Sequence, residues 1–451
     1  MVLMRFVCCV LIISCILQIV VASHSILDYG GVPNTNDNSA AWENSAALTK
    51  AFYAANSSST DRTVEIPSGY NFYFFEVELS YLYDITFRID GTLYVSNNIT
   101  AWPESNPRHI LAALYVGDSN GFIIEGSGLF DGQGYDWWWY VFLTTIDNRP
   151  MLIAMERVEN IEISGVRFQN SPQYHLDLRD IKNCYIHDCV IYVDVVKQKE
   201  LYRQFGYLNE FEIPTFPLNT DGIDPQGINI LIENVSITNY DDAVAVKPQS
   251  GANYFSSCSQ DMIIRNCNVS FGLGMTIGSV PPNDNVNCIQ NILFDNINFY
   301  HPIKAIYVKT NPGDSGSGII NNITYSNLEV DRSIWYPIWI GPQQQRQPGT
   351  AGTGCSFFYP IVDKCPTQPR VPITNVRLLN INMKNGLLLP GVFLCNETNP
   401  CTGFEIDNVQ NSGRFLVQDD YVCENVEAIV TNSSPSLNCA PTSNKEEYYF
   451  P

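Results

Sequence analysis

The stretch NILIENVSITNYDD, residues 229–242, decides the fold. It opens on a polar residue, alternates apolar side chains, breaks at a central Asn, alternates again, and ends on two adjacent carboxylates. Alternation at period two is the mark of a β-strand, because successive side chains leave opposite faces. The phrase recurs along the chain: NIEISGVRFQNS from Asn160, NCYIHDCVIYV from Asn183, DMIIRNCNVSFG from Asp261, NILFDNINFYHP from Asn291, NITYSNLEVDRS from Asn322 and NVRLLNINMKNG from Asn375. Including Asn229, successive starts lie 23, 46, 32, 30, 31 and 53 residues apart. Strands that return at such a period imply a stacked array in which each repeat is one coil. The expected fold is therefore all-β, a single-stranded right-handed parallel β-helix, with Ile, Val, Leu and Phe inside. The recurring Asn residues would ladder their amides from coil to coil. An antiparallel sandwich would need hairpin turns such as Asn-Gly every 8–12 residues, roughly, and that spacing is not found here.

A solenoid exposes its core at each end, so it needs a cap. NSAALTKAFYAANSS carries apolar residues at helical spacing from Ala46 to Ala55, with Asn44 and Ser45 as candidate helix caps. This segment is expected to be a short N-terminal capping helix. Two segments interrupt the period, 194–218 and the Gly/Pro-rich 343–370. Trp137, Trp138 and Trp139 in DWWWY are expected to pack in the core or at its rim rather than to offer an aromatic binding platform, and Gly278-Ser279 is expected to be a turn.

Residues 1–23 read as a secretory signal: Arg5, a short apolar run, then Val21-Ala22-Ser23. The expected domain is residues 24–440, followed by a polar tail, 441–451. No later run is long and apolar enough to span a membrane, so the expected product is secreted, extracellular and monomeric. Eleven cysteines follow the signal, and an oxidising compartment favours disulfides. Sequence proximity suggests Cys184–Cys189, Cys355–Cys365, Cys395–Cys401 and Cys423–Cys439, with at least one thiol left over. No metal site is expected, since zinc would want paired C-x-x-C motifs and the chain has only 5 His. Seven N-x-S/T sequons start at Asn56, Asn98, Asn234, Asn268, Asn322, Asn396 and Asn432; Asn234, Asn268 and Asn322 lie in strand-like runs and are equally candidates for structural asparagines. A formal charge of −21 argues against a nucleic-acid partner.

The carboxylates mark the candidate site. Asp221 and Asp242 are 21 residues apart, about one coil. On adjacent coils they would lie side by side, with Asp241 beside them. Clustered acids raise one another's pKa, a cost that chemistry can use: one carboxyl group stays protonated as an acid while a neighbour acts as a base. Turn formation or calcium binding by the same residues is the alternative.

NTDGID (219–224), YDDAVAVK (240–247), GLGMTIGS (272–279) and YVKT (307–310) follow one another in the order of the signature blocks of glycoside hydrolase family 28, the polygalacturonase family. The chain resembles that family from about 26 to 430, with ILDYGGVPN, GSGLFDGQGYDWWW and FQNSPQYHL also similar. The resemblance implies an inverting hydrolase of α-1,4-galacturonosyl linkages in pectin that needs no cofactor. Asp241 would be the general acid, and Asp221 and Asp242 would activate water. Asn219, Leu273, Tyr307, Lys309 and Gln344 fall at the substrate-binding positions. Two of these depart from the family pattern: Leu273 stands where His is usual, and Tyr307 where Arg is usual. The acids are intact and the grip on substrate is altered, so rhamnogalacturonan is an alternative substrate, and an inactive carbohydrate-binding solenoid is a further one. A lyase fits the carboxylates less well. The 194–218 insertion before Asn219 is expected to wall off one end of the groove and favour cutting at chain ends. Lys247 and Lys304 could hold uronates or be solvated, and His175 and His187 are expected to be structural.

Overall fold

The structure is a computed structural model that describes residues 23–102, 110–144, 148–197, 200, 217–249, 255–281, 286–312, 316–344, 354–412 and 420–439. Its strands pair in parallel, each with the strand one coil before and one coil after, so the chain winds as a right-handed parallel β-helix. One wall stacks Ala112–Glu125, Met151–Ser164, Leu176–His187, Ile223–Glu233, Ser259–Phe271, Val286–Tyr300, Ser317–Asp331, Ile373–Lys384 and Cys401–Asn411. A second wall stacks Val244–Val246, Met275–Val280, Ile306–Thr310, Ile338–Pro342 and Gly391–Leu394. Ile223 pairs with Val244, which joins the two walls at the coil carrying Asp221 and Asp224.

The period-two pattern fills the lumen in columns. Ile161, Cys184, Ile230, Met262, Ile292, Ile323 and Val376 are in register from coil to coil. All of them belong to one continuous buried core. Burying each such side chain contributes about 1.5–3 kcal/mol. Cys184 is a rung of this column, and this corrects the expected Cys184–Cys189 bridge: both thiols are free and buried, as is Cys267. They serve as small apolar side chains. The bridge missed by sequence proximity is Cys258–Cys288, whose separation of 30 residues is one coil. Cys355–Cys365, Cys395–Cys401 and Cys423–Cys439 are formed as expected.

The amide ladder is present at the corner of the first wall. Asn160 donates to Asn120 at 2.9 Å, Asn183 to Asn160 at 3.0 Å, Asn229 to Asn183 at 2.7 Å, Asn291 to Asp261 at 3.0 Å and Asn322 to Asn291 at 2.9 Å. Asn160, Asn183, Asn229, Asn291 and Asn322 all have φ between 55° and 59°, a left-handed bend that Asn tolerates better than other side chains. Among the sequon residues, Asn322 makes such a coil-to-coil bond here, Asn268 accepts from Asn298 at 3.1 Å, and Asn432 donates to Asp407 at 2.9 Å.

The capping helix is longer than expected, Asn38–Ser57, and its N-cap is Asp37, which accepts from the Ala40 amide. Asn44 and Ser45 are therefore not caps. Asn44 is buried inside the helix and donates to the carbonyls of Val32 and Tyr73 at 3.1 and 2.8 Å, while Ser45 accepts from the Phe75 amide at 3.0 Å. They fasten the helix to the first coil. Phe52 closes the lumen against Phe87 at 5.0 Å between ring centroids. Trp137 and Trp138 are buried, and Trp138 donates to the Ser171 carbonyl at 2.9 Å. Gly278 and Ser279 lie within the strand Met275–Val280, not in a turn. Residues 1–22 and 440–451, together with 198–199 and 201–216 of the 194–218 insertion, lie outside the described residues.

Candidate active site

The acids sit where the two walls meet, on the outside of the coil. Ile223, Ala243, Val244 and Val246 point into the lumen core, whereas Asp242 bonds to Thr276, which alternates with the lumen residues Met275 and Ile277 and so faces outward. Asp221, Asp241 and Asp242 each place one carboxylate oxygen within 4.8 Å of the others. The one-coil spacing read from the sequence thus brings them together. Asn239 explains how both turns hold their shape: its buried amide donates to the carbonyls of Thr220, Asp241 and Asp242 at 3.0, 3.1 and 2.7 Å. The next coil adds the Leu273 amide, which donates to the Asp241 carbonyl at 2.8 Å. Gly272 and Gly274 flank Leu273 with φ of 62° and 70°, and a Cβ on Gly272 would lie 2.5 Å from the Asp241 carbonyl oxygen. Only glycine allows that approach.

Each acid has a different environment. Asp242 is buried, but Lys309 donates to its Oδ2 at 2.7 Å and Thr276 to its Oδ1 at 2.7 Å. Burial alone would raise its pKa; the charges of Lys309 and Lys247 with these hydrogen bonds outweigh burial and hold it below the usual carboxylate range. Asp241 accepts from the amides of Asn219 and Asp242 at 3.0 and 2.9 Å, yet burial and the Asp242 charge raise its pKa. Burial and the neighbouring charges of Asp224 and Asp241 push Asp221 well up, and its Oδ1 has no protein hydrogen-bond partner among the described residues. Burial raises Asp224 to about 7 despite Lys247. Lys247 lies 3.1 Å from Asp224 and 3.8 Å from Asp221. Four carboxylates thus face two ammonium groups in a largely buried space, and this charge imbalance favours retention of protons on the acids. The oxygen separations would also suit a divalent cation, but Lys247 and Lys309 already supply positive charge there.

The five expected substrate contacts separate. Asn219 is at the site, with its Oδ1 accepting from Arg149 at 2.9 Å. Lys309 is committed to Asp242 and does not offer a free point charge. Tyr307 is buried and does not present an open stacking face: its hydroxyl accepts from the Gln344 amide at 3.2 Å, and its ring lies under Lys304 and Lys309 at 4.7 and 4.9 Å. Leu273 packs half-buried on a second apolar cluster, outside the lumen, built from Tyr307, Tyr336, Trp339, Tyr359 and Val392. Gln344 accepts from the Lys304 ammonium at 2.8 Å. Lys304 is buried among these rings, which lowers its pKa to about 7; neither it nor Lys247 is a solvated surface lysine. His175 is structural as expected, and His187 ends the strand Leu176–His187 with its Nδ1 2.7 Å from the Asp188 carboxylate. His175 is fully buried with its Nδ1 2.9 Å from the Asp221 carbonyl, and burial lowers its pKa to about 4.

Sequence reasoning missed Thr276, Asn239 and Arg149. Thr276 had a usable signal, since it lies in register with Ala245 one coil on. Arg149, 70 residues from Asn219, had none.

The nearest oxygens of the acid trio are closer than the about 6.5–9.5 Å usual for carboxyl pairs that admit a water between them. What the arrangement supplies is one carboxylate held low, Asp242, beside carboxyl groups whose pKa values are raised, which is the requirement for acid–base cleavage of an acetal.

The chain matches the model of glycosyl hydrolases family 28 over residues 57–435. It is 25% identical over 425 residues to a probable exopolygalacturonase C of Aspergillus niger, covering 86% of this chain and 85% of that protein. It is 24% identical over 375 residues to an alpha-L-rhamnosidase of the same species, covering 78% of each. Among solved structures it superposes on an exopolygalacturonase of Thermotoga maritima with a TM-score of 0.60 and 17% identity, covering 90% and 91% of the two chains. An endo-xylogalacturonan hydrolase of Aspergillus tubingensis gives 0.57 and 21%, covering 89% and 90%. These structural likenesses concern the fold.

Proposed function

The chain belongs to glycosyl hydrolase family 28 and is a glycosidase, and from that premise we propose that it hydrolyses α-1,4-galacturonosyl linkages of pectin with inversion, as a secreted monomer freed of residues 1–23. Asp241, kept protonated by burial and its charged neighbour, donates to the glycosidic oxygen. Asp242, kept ionised by Lys309, takes the proton of the attacking water with Asp221 beside it. The observation that carries this reading is the unequal bonding of two neighbouring acids: Asp242 accepts from the Lys309 ammonium and the Thr276 hydroxyl, whereas Asp241 accepts, among the described residues, only from backbone amides, which displaces their pKa values in opposite directions. Four disulfides and the family relationship support an extracellular setting.

Two observations each favour a second reading. The close approach of the acids would also serve a retaining double displacement, in which Asp242 attacks the anomeric carbon. The apolar Leu273 and the buried Tyr307 favour rhamnogalacturonan as substrate, because the wall they form offers no clamp for a carboxylate. Cutting from chain ends is proposed on the length of the 194–218 insertion alone. Incubation with polygalacturonate and with rhamnogalacturonan tests all of this. Hydrolysis releases reducing ends without unsaturated sugars, a β-anomer as the first product means inversion, and monomer from the outset means exo-action. Unsaturated products from either polymer would sink the hydrolase reading.

A further inference from the structure

The outward face of the site wall carries a row of residues two positions past the one that contains Asp177 and Asp224. In coil order the row holds Glu156, Arg179, Gln226, Lys247, Gly278 and Lys309. Its cations differ in what they have left to give. Lys309 is spent on Asp242, and Lys247 lies between Asp224 and Asp221. Arg179 uses only its Nε, donating to Asp177 at 2.7 Å. Its two Nη nitrogens have no partner among the described residues, and its side chain is 39% exposed while that of Asp177 is 6% exposed. The buried Asp177 therefore props a guanidinium with free donors on the upstream side of the acids. Asp177 is in register with Asp224, one strand spacing away, so Arg179 lies about 10 Å, two strand spacings, from the coil of Asp242. The downstream side is the reverse: Leu273, Tyr307 and Trp339 are apolar, and Lys304 is buried against their rings.

We propose that Arg179 recognises a substrate carboxylate on the upstream side of the acids. A guanidinium fork matches a carboxylate in two parallel hydrogen bonds, which an ammonium cannot reproduce. The identity of the acid sugar, a galacturonate, rests on the function proposed above; the recognition of a carboxylate does not.

The test is calorimetric binding of galacturonate oligomers, free and methyl-esterified, to the full-length protein and to Arg179→Lys, alongside kcat and KM on the same pair. The wild type should prefer the free acid, and Arg179→Lys should lose roughly 10- to 100-fold in affinity and in kcat/KM for it, through KM. The ester should be unaffected. Equal losses on acid and ester would make Arg179 a structural partner of Asp177 and overturn the proposal, as would no loss on either. If Arg179→Lys melts early, the pair Asp177→Asn with Arg179→Gln removes both charges and gives the same comparison. Absence of hydrolysis by the wild type, with carboxylate-selective binding intact, would refute the proposed function and leave Arg179 as assigned.

Discussion

Replacing Lys309 by Met should move the acid limb of the pH–rate profile. The Lys309 ammonium lies 2.7 Å from Asp242, with side-chain exposures of 7% and 1%. At an effective dielectric near 20, a unit charge pair at that distance is worth about 6 kcal/mol, or roughly four pKa units. The Thr276 hydrogen bond and Lys247 remain, and water enters the vacated space, so a rise of about two units is the conservative expectation. In the wild type the Asp242 pKa lies below its unfolded value. It therefore adds stability above the unfolded pKa, and that contribution is lost as pH falls through the folded pKa. In Lys309→Met the stabilising contribution is lost, and once the folded pKa rises above the unfolded one the ionised group destabilises at neutral pH, by less than about 3 kcal/mol for a two-unit rise, and acid relieves it. The assay is kcat against pH on pectic polysaccharide, with thermal unfolding at each pH. The acid limb should shift upward by about two units or more while turnover partly recovers at higher pH. A folded variant whose acid limb stays in place would refute the assignment of Asp242 as the group that must be ionised.

Other consequences can be measured on the same protein. Cys258→Ser opens a loop of 30 residues and should cost about 3–4 kcal/mol in denaturant titration. Unfolding the chain from His24 onward without reductant should expose three thiols, Cys184, Cys189 and Cys267, and a count of one would restore the Cys184–Cys189 bridge. Phe52→Ala should destabilise by about 3–5 kcal/mol, since it uncaps the lumen. His175 has its pKa lowered to about 4 by burial, so the folded state refuses a proton that the unfolded chain takes near 6.5, approximately. Stability present above that value should fall by about 3 kcal/mol as pH drops toward 4, and His175→Gln should flatten this part of the curve.

The solenoid was legible because its signals are local and repeated. Ile230 with Ile232 and Val235 with Ile237 announce strands, and the return of Asn160, Asn183 and Asn229 announces coils and their ladder. The same period places Asp221 beside Asp242. Other features required the fold in three dimensions. Cys184 and Cys189 are near in sequence, but Cys184 faces the lumen among isoleucines, whereas Cys258 and Cys288 meet because 30 residues make one turn of the wall. The helix start was misplaced because Asn44 and Ser45 bond to Val32, Tyr73 and Phe75, contacts made across the fold. The commitment of Lys309 to Asp242 spans 67 residues and two coils and joins residues that do not share a register position, so its role as a charge partner could not be read from YVKT. Tyr307 likewise reads as a surface aromatic until the segment around Tyr359 is seen packed over it.

The assignment on which the rest turns is Asp241 as proton donor. Purified wild type and Asp241→Asn should be compared for release of reducing ends from a pectic polysaccharide, with circular dichroism to verify that both are folded. The account predicts hydrolysis by the wild type and a loss of at least about 100-fold in the variant. Wild-type turnover by folded Asp241→Asn would contradict it.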